Sequence, residues 1–353
     1  MRFLNNKDAW HAGKPAITLF TLFTGAGGGA LLNLLGMPAG WLCGAMLAVA
    51  AVSLGGLPTR VPHALRDATF IVLGTSMGSS ITPDTLHDIL LWPVSIAILL
   101  CSVAASMFIG AQYLRRRHGW DRATAQLSAV PGALSAVLAL ASGTTANLPT
   151  VALSQTLRQF VLVSLVPLVL MFGSGEKLKP VVMPAATLID AAIMLMCGAA
   201  GSILLARLRV PGAMLVGAML VSALLHAAGW VNGRLDPMLL TAAFVCTGAA
   251  IGSRFAGTRI ELLLATIRPA LGSIFVAIAI AAVFAALCRI VLDLPFAEIW
   301  LAYAPGGVEV MTIMAFALNL DPSYVSTHHV IRLLLLMLAS PLWTYGLTDK
   351  GRI

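Results

Sequence analysis

Apolar residues run along the chain in twelve blocks, at about 16–36, 38–56, 67–83, 88–113, 124–147, 150–172, 182–206, 211–230, 238–253, 265–289, 297–318 and 323–346, parted by short polar turns. Most blocks reach the roughly 17–25 residues that a helix rising about 1.5 Å per residue needs to cross about 30 Å of hydrocarbon. The pattern predicts an all-α membrane protein, a polytopic helical bundle of 10–12 transmembrane segments. Four blocks are not plain spans. Two are short and glycine-bearing, with Gly74, Gly78 and Ser79 in 67–83 and Gly248, Gly252 and Ser253 in 238–253. Two are interrupted, at Pro131-Gly132 and at Pro305-Gly306-Gly307. A proline in mid-helix removes a backbone donor and clashes with the preceding turn, and an adjacent glycine weakens the helix further. The backbone groups so freed must be buried in protein or line a wet cavity.

These exceptions come in pairs. Pro131 and Gly132 stand 174 positions before Pro305 and Gly306, and at the same offset Arg158 meets Arg332, Leu162 meets Leu336 and Pro167 meets Pro341. Upstream, MPAGWLCGAML at 37–47 answers VPGAMLVGAML at 210–220, with an offset of 173. The chain therefore reads as two related membrane repeats, 16–180 and 181–347, between a cytoplasmic leader, 1–15, and a cytoplasmic tail, 348–353. Interrupted helices at corresponding places in two halves point to a midplane binding site. For the glycine pairs, close helix packing is the favoured reading. The polar positions diverge between the copies: Glu309 falls on Ser135, Asp321 on Asn147, His328 on Ser154 and His329 on Gln155.

Composition agrees with the class. Hydrophobic residues make up 59% and charged residues 10%, against about 45–50% and about 25% in soluble domains. The net charge of +8 sits in short loops and no basic soluble domain exists, so nucleic acid is not an expected partner; the bilayer is. The five cysteines are odd in number, lie in apolar blocks and never approach CxxC spacing. They read as small buried hydrophobes rather than as a disulfide frame or a zinc site. Lys and Arg place both termini and the Arg115-Arg116-Arg117 loop in the cytoplasm. Between parallel halves of six spans and inverted halves of five spans plus a re-entrant segment, the charge count ties at four violations each.

The candidate chemistry is intramembrane and ionisable. Arg158 and Arg332 lie well inside their blocks, where a charge needs a partner, a cavity or a ligand. Arg332 has two acids within reach along the chain, Glu309 and Asp321, as structural partners; alternatively, either guanidinium could hold an anionic group with its planar donor fork. Arg158 has no acid in its own block or in the interrupted block before it, which points to an anion or to Glu309 across the halves. Glu309 directly follows the Pro-Gly-Gly break, a position suited to proton coupling. His328, Asp321 and the breaks Pro131, Gly132, Pro305, Gly306 and Gly307 complete the candidate binding or coupling set. The adjacent His328 and His329 point in different directions with no further ligands at helical spacing, so no metal site, cofactor or catalytic residue is expected. No GxxxxGK[ST] motif occurs, so transport would be ion-driven, proton-driven or passive.

PGGVEVM followed by HHVIRLLLL, with the weaker copy PGALSAV and SQTLRQFVL, resembles the AbrB family of duplicated Gram-negative inner-membrane proteins. Its members carry a PGG-x-x-E-M block and an H-Q-x-x-R-L-L block. The resemblance covers nearly the whole chain and falls on Pro305, Gly306, Gly307, Glu309, His328 and Arg332, with His329 standing where the family commonly has Gln. It implies one of three labels: transporter, regulator of gene expression, or ammonia monooxygenase. The name is shared with unrelated soluble DNA-binding regulators. A monooxygenase would need converging metal ligands that these histidines do not supply, so no enzyme is expected. A secondary transporter or permease for a small, anionic solute is the leading reading, with indirect regulation as the alternative. The solute, the coupling ion and whether the protein forms a homo-oligomer stay open.

Overall fold

The computed structural model describes residues 14–79, 92–132, 134–173, 185–340, 344 and 347. The tail 348–353 and all but Lys14 and Pro15 of the leader lie outside the described residues; those two open the first helix. The chain is all-α. Its helices are α1 (Lys14–Leu34), α2 (Gly40–Leu54), α3 (His63–Gly78), α4 (Trp92–His118), α5 (Arg122–Ala129), α6 (Leu134–Ala141), α7 (Leu148–Gly173), α8 (Leu188–Arg207), α9 (Ala213–Ala227), α10 (Pro237–Gly252), α11 (Ile260–Leu292), α12 (Phe296–Tyr303), α13 (Val308–Ala317) and α14 (Pro322–Leu338). Among the described residues, six stretches are long and apolar enough to cross a bilayer: Lys14–Leu34, Trp92–His118, Leu148–Val169, Leu188–Arg207, Pro237–Phe255 and Ile260–Leu292. Their outward faces are apolar, with Phe23 75% and Leu188 90% exposed, a surface suited to lipid rather than water.

Helices seven places apart in this order start 173 or 174 residues apart, except α4 and α11, which start 168 apart and end 174 apart. The turns into α2 and α9 also share their backbone. Gly36 and Ala39 are left-handed before α2, as Arg209 and Gly212 are before α9. Packing is exchanged between the halves. α3 lies against α9, α10 against α2, and α4 against α11.

The paired glycines make these crossings possible. A Cβ at Gly74 or Gly78 would strike the Leu215 or Met219 carbonyl of α9, and one at Gly248 would strike the Leu42 carbonyl of α2. Gly252 would meet the Met46 carbonyl at 2.6 Å. These are backbone-to-backbone contacts of the small-xxx-small kind, worth their entropic cost only because the helices approach so closely.

The cysteine expectation needs one correction. Cys43, Cys246 and Cys288 are buried, but Cys101 is exposed and Cys197 half-buried. In a bilayer an apolar sulfur can face lipid as readily as the core, so burial in protein is not required of it.

Candidate functional site

Both Pro-Gly interruptions end a helix after two turns. α5 stops at Ala129 and α12 at Tyr303, and the chain resumes as α6 or α13. Hydrogen bonds between each short helix and the next long one fix how the two run. At the entrance, Asn147 N donates to Thr124 Oγ1 at 2.8 Å. Deeper in, Gln155 Nε2 donates to the carbonyls of Leu127 at 2.9 Å and Val130 at 3.1 Å. Deepest, Arg158 Nη2 donates to the Val130 carbonyl at 2.9 Å. Numbers climb together on both sides, so α5 and α7 run in the same direction. α6 must then bring the chain back to the level at which α5 began, and α5–α6 is a helical hairpin with the Pro131-Gly132 break at its tip.

The second half is built the same way. Asp321 N lies 3.3 Å from Glu298 Oε1 at the entrance, His329 Nε2 lies 3.1 Å from the Leu301 carbonyl, and Arg332 Nη1 donates to the Ala304 carbonyl at 2.8 Å. Arg332 Nη2 also reaches the Gly306 carbonyl at 2.6 Å and His329 Nδ1 at 2.6 Å. His329 thus accepts at Nδ1 and donates at Nε2, which assigns the neutral Nε2–H tautomer.

The buried arginines therefore hold the carbonyls that the breaks release, which corrects the expected pairing of Arg332 with Glu309 or Asp321. A carbonyl freed in mid-membrane is itself a strong acceptor, and the Pro-Gly break supplies several at a fixed place. Arg332 is fully buried and Arg158 4% exposed. Arg158 hydrogen-bonds Val130 O and the Gln155 amide oxygen, not Glu309. The Nε of each arginine has no hydrogen-bond partner among the described residues, and the two like charges lie close enough to oppose one another.

The tips of the hairpins meet the opposite half. A Cβ at Gly132 would lie 3.6 Å from the Leu333 side chain of α14, and one at Gly307 would lie 3.0 Å from Gln159 Nε2 of α7. Pro131, Gly132, Pro305, Gly306 and Gly307 are all buried there. Glu309 opens α13 and is half-buried. Its charged neighbour is Arg254, at the end of the span that closes with Phe255, and Arg254 in turn hydrogen-bonds the Gln159 amide oxygen. Asp321 caps α14, accepting from Ser323 N at 2.7 Å.

His328 points away from Arg332 into a network that the sequence did not reveal. Its Nδ1 lies 2.8 Å from the Tyr324 carbonyl one turn earlier, and its Nε2 lies 2.9 Å from Ser95 Oγ of α4. Tyr324 Oη shares that serine hydroxyl, and Tyr303 Oη donates to the Ser95 carbonyl at 2.6 Å. Trp92 packs edge-on against the His328 ring with centroids 6.2 Å apart. The geometry assigns Nδ1–H to His328, with Ser95 donating to Nε2.

Ser95, Tyr303, Tyr324, Gln155, Gln159 and Arg254 are thus the members that sequence reasoning missed. Gln155 and Gln159 carried a signal, since they bracket Arg158 on one helix. Ser95 carried none, being one of three serines, with Ser102 and Ser106, in an apolar run.

Known proteins match this arrangement along most of its length. A family profile described as transition state regulatory protein AbrB matches residues 41–347. A protein of Escherichia coli K12 named "Putative regulator AbrB" is 26% identical over 317 residues, spanning 86% of this chain and 89% of its own. A Bacillus subtilis 168 protein named "Uncharacterized protein YhjN" is 25% identical over 357 residues, spanning 92% of this chain and 91% of its own.

Proposed function

The chain belongs to the AbrB family of membrane proteins, which it matches over residues 41–347, and for it we propose a secondary transporter or permease that carries a small, anionic solute past a midplane site. The observation that carries this reading is the pair of helical hairpins whose broken tips are held by Arg158 and Arg332. Non-helical backbone at membrane depth is tolerated where it lines a cavity or is buried in protein, and broken helices in two related halves are the usual frame of a transport site. With each hairpin entering and leaving on one side, every half has five crossing helices. An odd number inverts the second half relative to the first. On this reading the two hairpins enter from opposite faces of a bacterial inner membrane, both termini are cytoplasmic, and the two copies rock about the arginines. Protons are the proposed coupling ion, carried by Glu309, which sits beside the second break with Arg254 as its charged neighbour.

The test is uptake of a panel of small organic anions, with amines as controls, into proteoliposomes with and without a pH gradient. Uptake of an anion that Arg158 or Arg332 substitution abolishes is the expected result. No uptake of any anion, with the protein folded and inserted, would refute the reading. The second reading, indirect regulation of gene expression, rests on the name of the E. coli relative. It predicts changed gene expression on deletion without any transported solute.

A further inference from the structure

Next to Arg158, four helices enclose a small cavity. It is lined by Leu114 of α4, Ser128 and Ala129 of α5, Ser154 and Arg158 of α7, and Ala270, Ser273, Ile274 and Ala277 of α11. The space is about 10 Å³ for the centre of a water-sized sphere, room for one water or one halide-sized particle. Its polar lining is unusual in being unpaired. Ser128 Oγ, Ser154 Oγ and Arg158 Nε are buried without a hydrogen-bond partner among the described residues. All the serines in this wall are less than a tenth exposed. Ser154 and Arg158 stand one turn apart on one face of α7, and Ser273 lies on the stripe that α11 turns toward the cavity. Among the described residues no carboxylate lines it.

We propose that Ser128, Ser154, Ser273 and the Nε–H of Arg158 bind one monatomic, halide-sized anion, chloride being the test case. A buried guanidinium whose hydrogen bonds go to the neutral Val130 carbonyl and Gln155 amide keeps an uncompensated charge in a low-dielectric place, a second cation stands nearby, and a bound anion relieves both. Three hydroxyls that can each turn a proton inward, plus a fixed N–H, form a donor set for an anion and not for a cation.

The site is specific to the first half. At the matching positions of the second half stand Ala302, His328 and Leu99 in place of Ser128, Ser154 and Ser273, and His328 there is already bonded to Ser95 and the Tyr324 carbonyl. One anion per chain is therefore expected, not two.

The proposal rests on the anion-facing reading of Arg158, and not on transport. Full-length protein purified in detergent is dialysed to equilibrium against radiolabelled chloride in gluconate buffer of constant ionic strength. The expected result is saturable binding of one chloride per chain, displaced by bromide. Ser128→Ala with Ser154→Ala should weaken it about tenfold or more, the loss of hydrogen bonds to a charged group. Ser273→Ala alone should weaken it severalfold, and serves as the deciding variant should the double substitution not fold.

Absence of saturable binding would mean that the cavity takes water, and would overturn the proposal. So would affinity undiminished in the serine variants, which would place the anion elsewhere. Chloride binding without uptake of any solute would sink the transport reading and leave this site standing; uptake without chloride binding would do the reverse.

Discussion

Replacing each arginine by methionine keeps length and apolar bulk while deleting the guanidinium, and the two substitutions should not cost the same. In Arg332→Met, the Gly306 carbonyl and His329 Nδ1 lose the donor that the structure gives them, while the Ala304 carbonyl keeps the Gly306 N–H at 2.8 Å. In Arg158→Met, the Val130 carbonyl keeps Gln155 Nε2 at 3.1 Å and only the Gln155 amide oxygen is stranded. A buried polar group left unpaired costs about 1–3 kcal/mol, so the totals are about 2–6 kcal/mol against about 1–3 kcal/mol. Both variants also shed the penalty of a desolvated cation, which largely cancels in the comparison. Arg332→Met should therefore be the less stable by about 1–3 kcal/mol. Unfolding of the purified variants in mixed micelles of dodecyl maltoside and sodium dodecyl sulfate, followed by tryptophan fluorescence, measures the difference. Equal midpoints, or a larger loss in Arg158→Met, would refute the carbonyl-holding role assigned to Arg332.

Inverted halves put the Arg207–Arg209 loop in the cytoplasm, so a cysteine placed at Leu208 in a cysteine-free background should react with a membrane-impermeant maleimide only after permeabilisation; labelling from the periplasm would restore parallel halves. Gly78→Ala should lower stability by roughly 1–3 kcal/mol, because its Cβ would strike the Met219 carbonyl, whereas Gly27→Ala meets nothing within 4 Å and should be neutral or better in the same unfolding assay. Glu309→Gln should leave the folded yield intact and remove the dependence of anion uptake on a pH gradient; dependence retained in that variant would strike Glu309 from the coupling role.

The fold class was legible because a bilayer imposes length and apolarity on every span, and the breaks were legible because proline and glycine announce them. Partners were another matter. Arg332 was matched to acids because sequence shows side chains, while its true partners are the Ala304 and Gly306 carbonyls, which any residue type would present. The proposed five spans per half rest on which carbonyl each arginine reaches, and no charge count could supply that. Ser95 and Tyr303 belong to segments far apart in the chain, and only the packing of α4 near α12 and α14 brings them to His328.

At one pair of positions, Gln155 and His329, the contrast that the sequence invites between a neutral first half and an ionisable second disappears on the same grounds. Gln155 and His329 occupy matching positions, and each bridges a carbonyl of the preceding short helix to the guanidinium one turn on. Gln155 does so with its amide N–H on Leu127 O and its amide oxygen on Arg158. His329 does so with Nε2 on Leu301 O and Nδ1 on Arg332. What the position requires is a donor at one end and an acceptor at the other, a demand that a neutral imidazole and a primary amide both meet, and a charged imidazolium would not. His329→Gln should accordingly preserve folding and uptake at every pH tested, because it swaps one bridge for the bridge already used in the first half. His329→Leu should fail, stranding the Leu301 carbonyl and one N–H of Arg332 at a cost of about 1–3 kcal/mol for each buried group. Unfolding midpoints of the two variants separate the cases. Loss of stability in His329→Gln equal to that in His329→Leu would show that the imidazole itself, and not the bridge, is what this position needs.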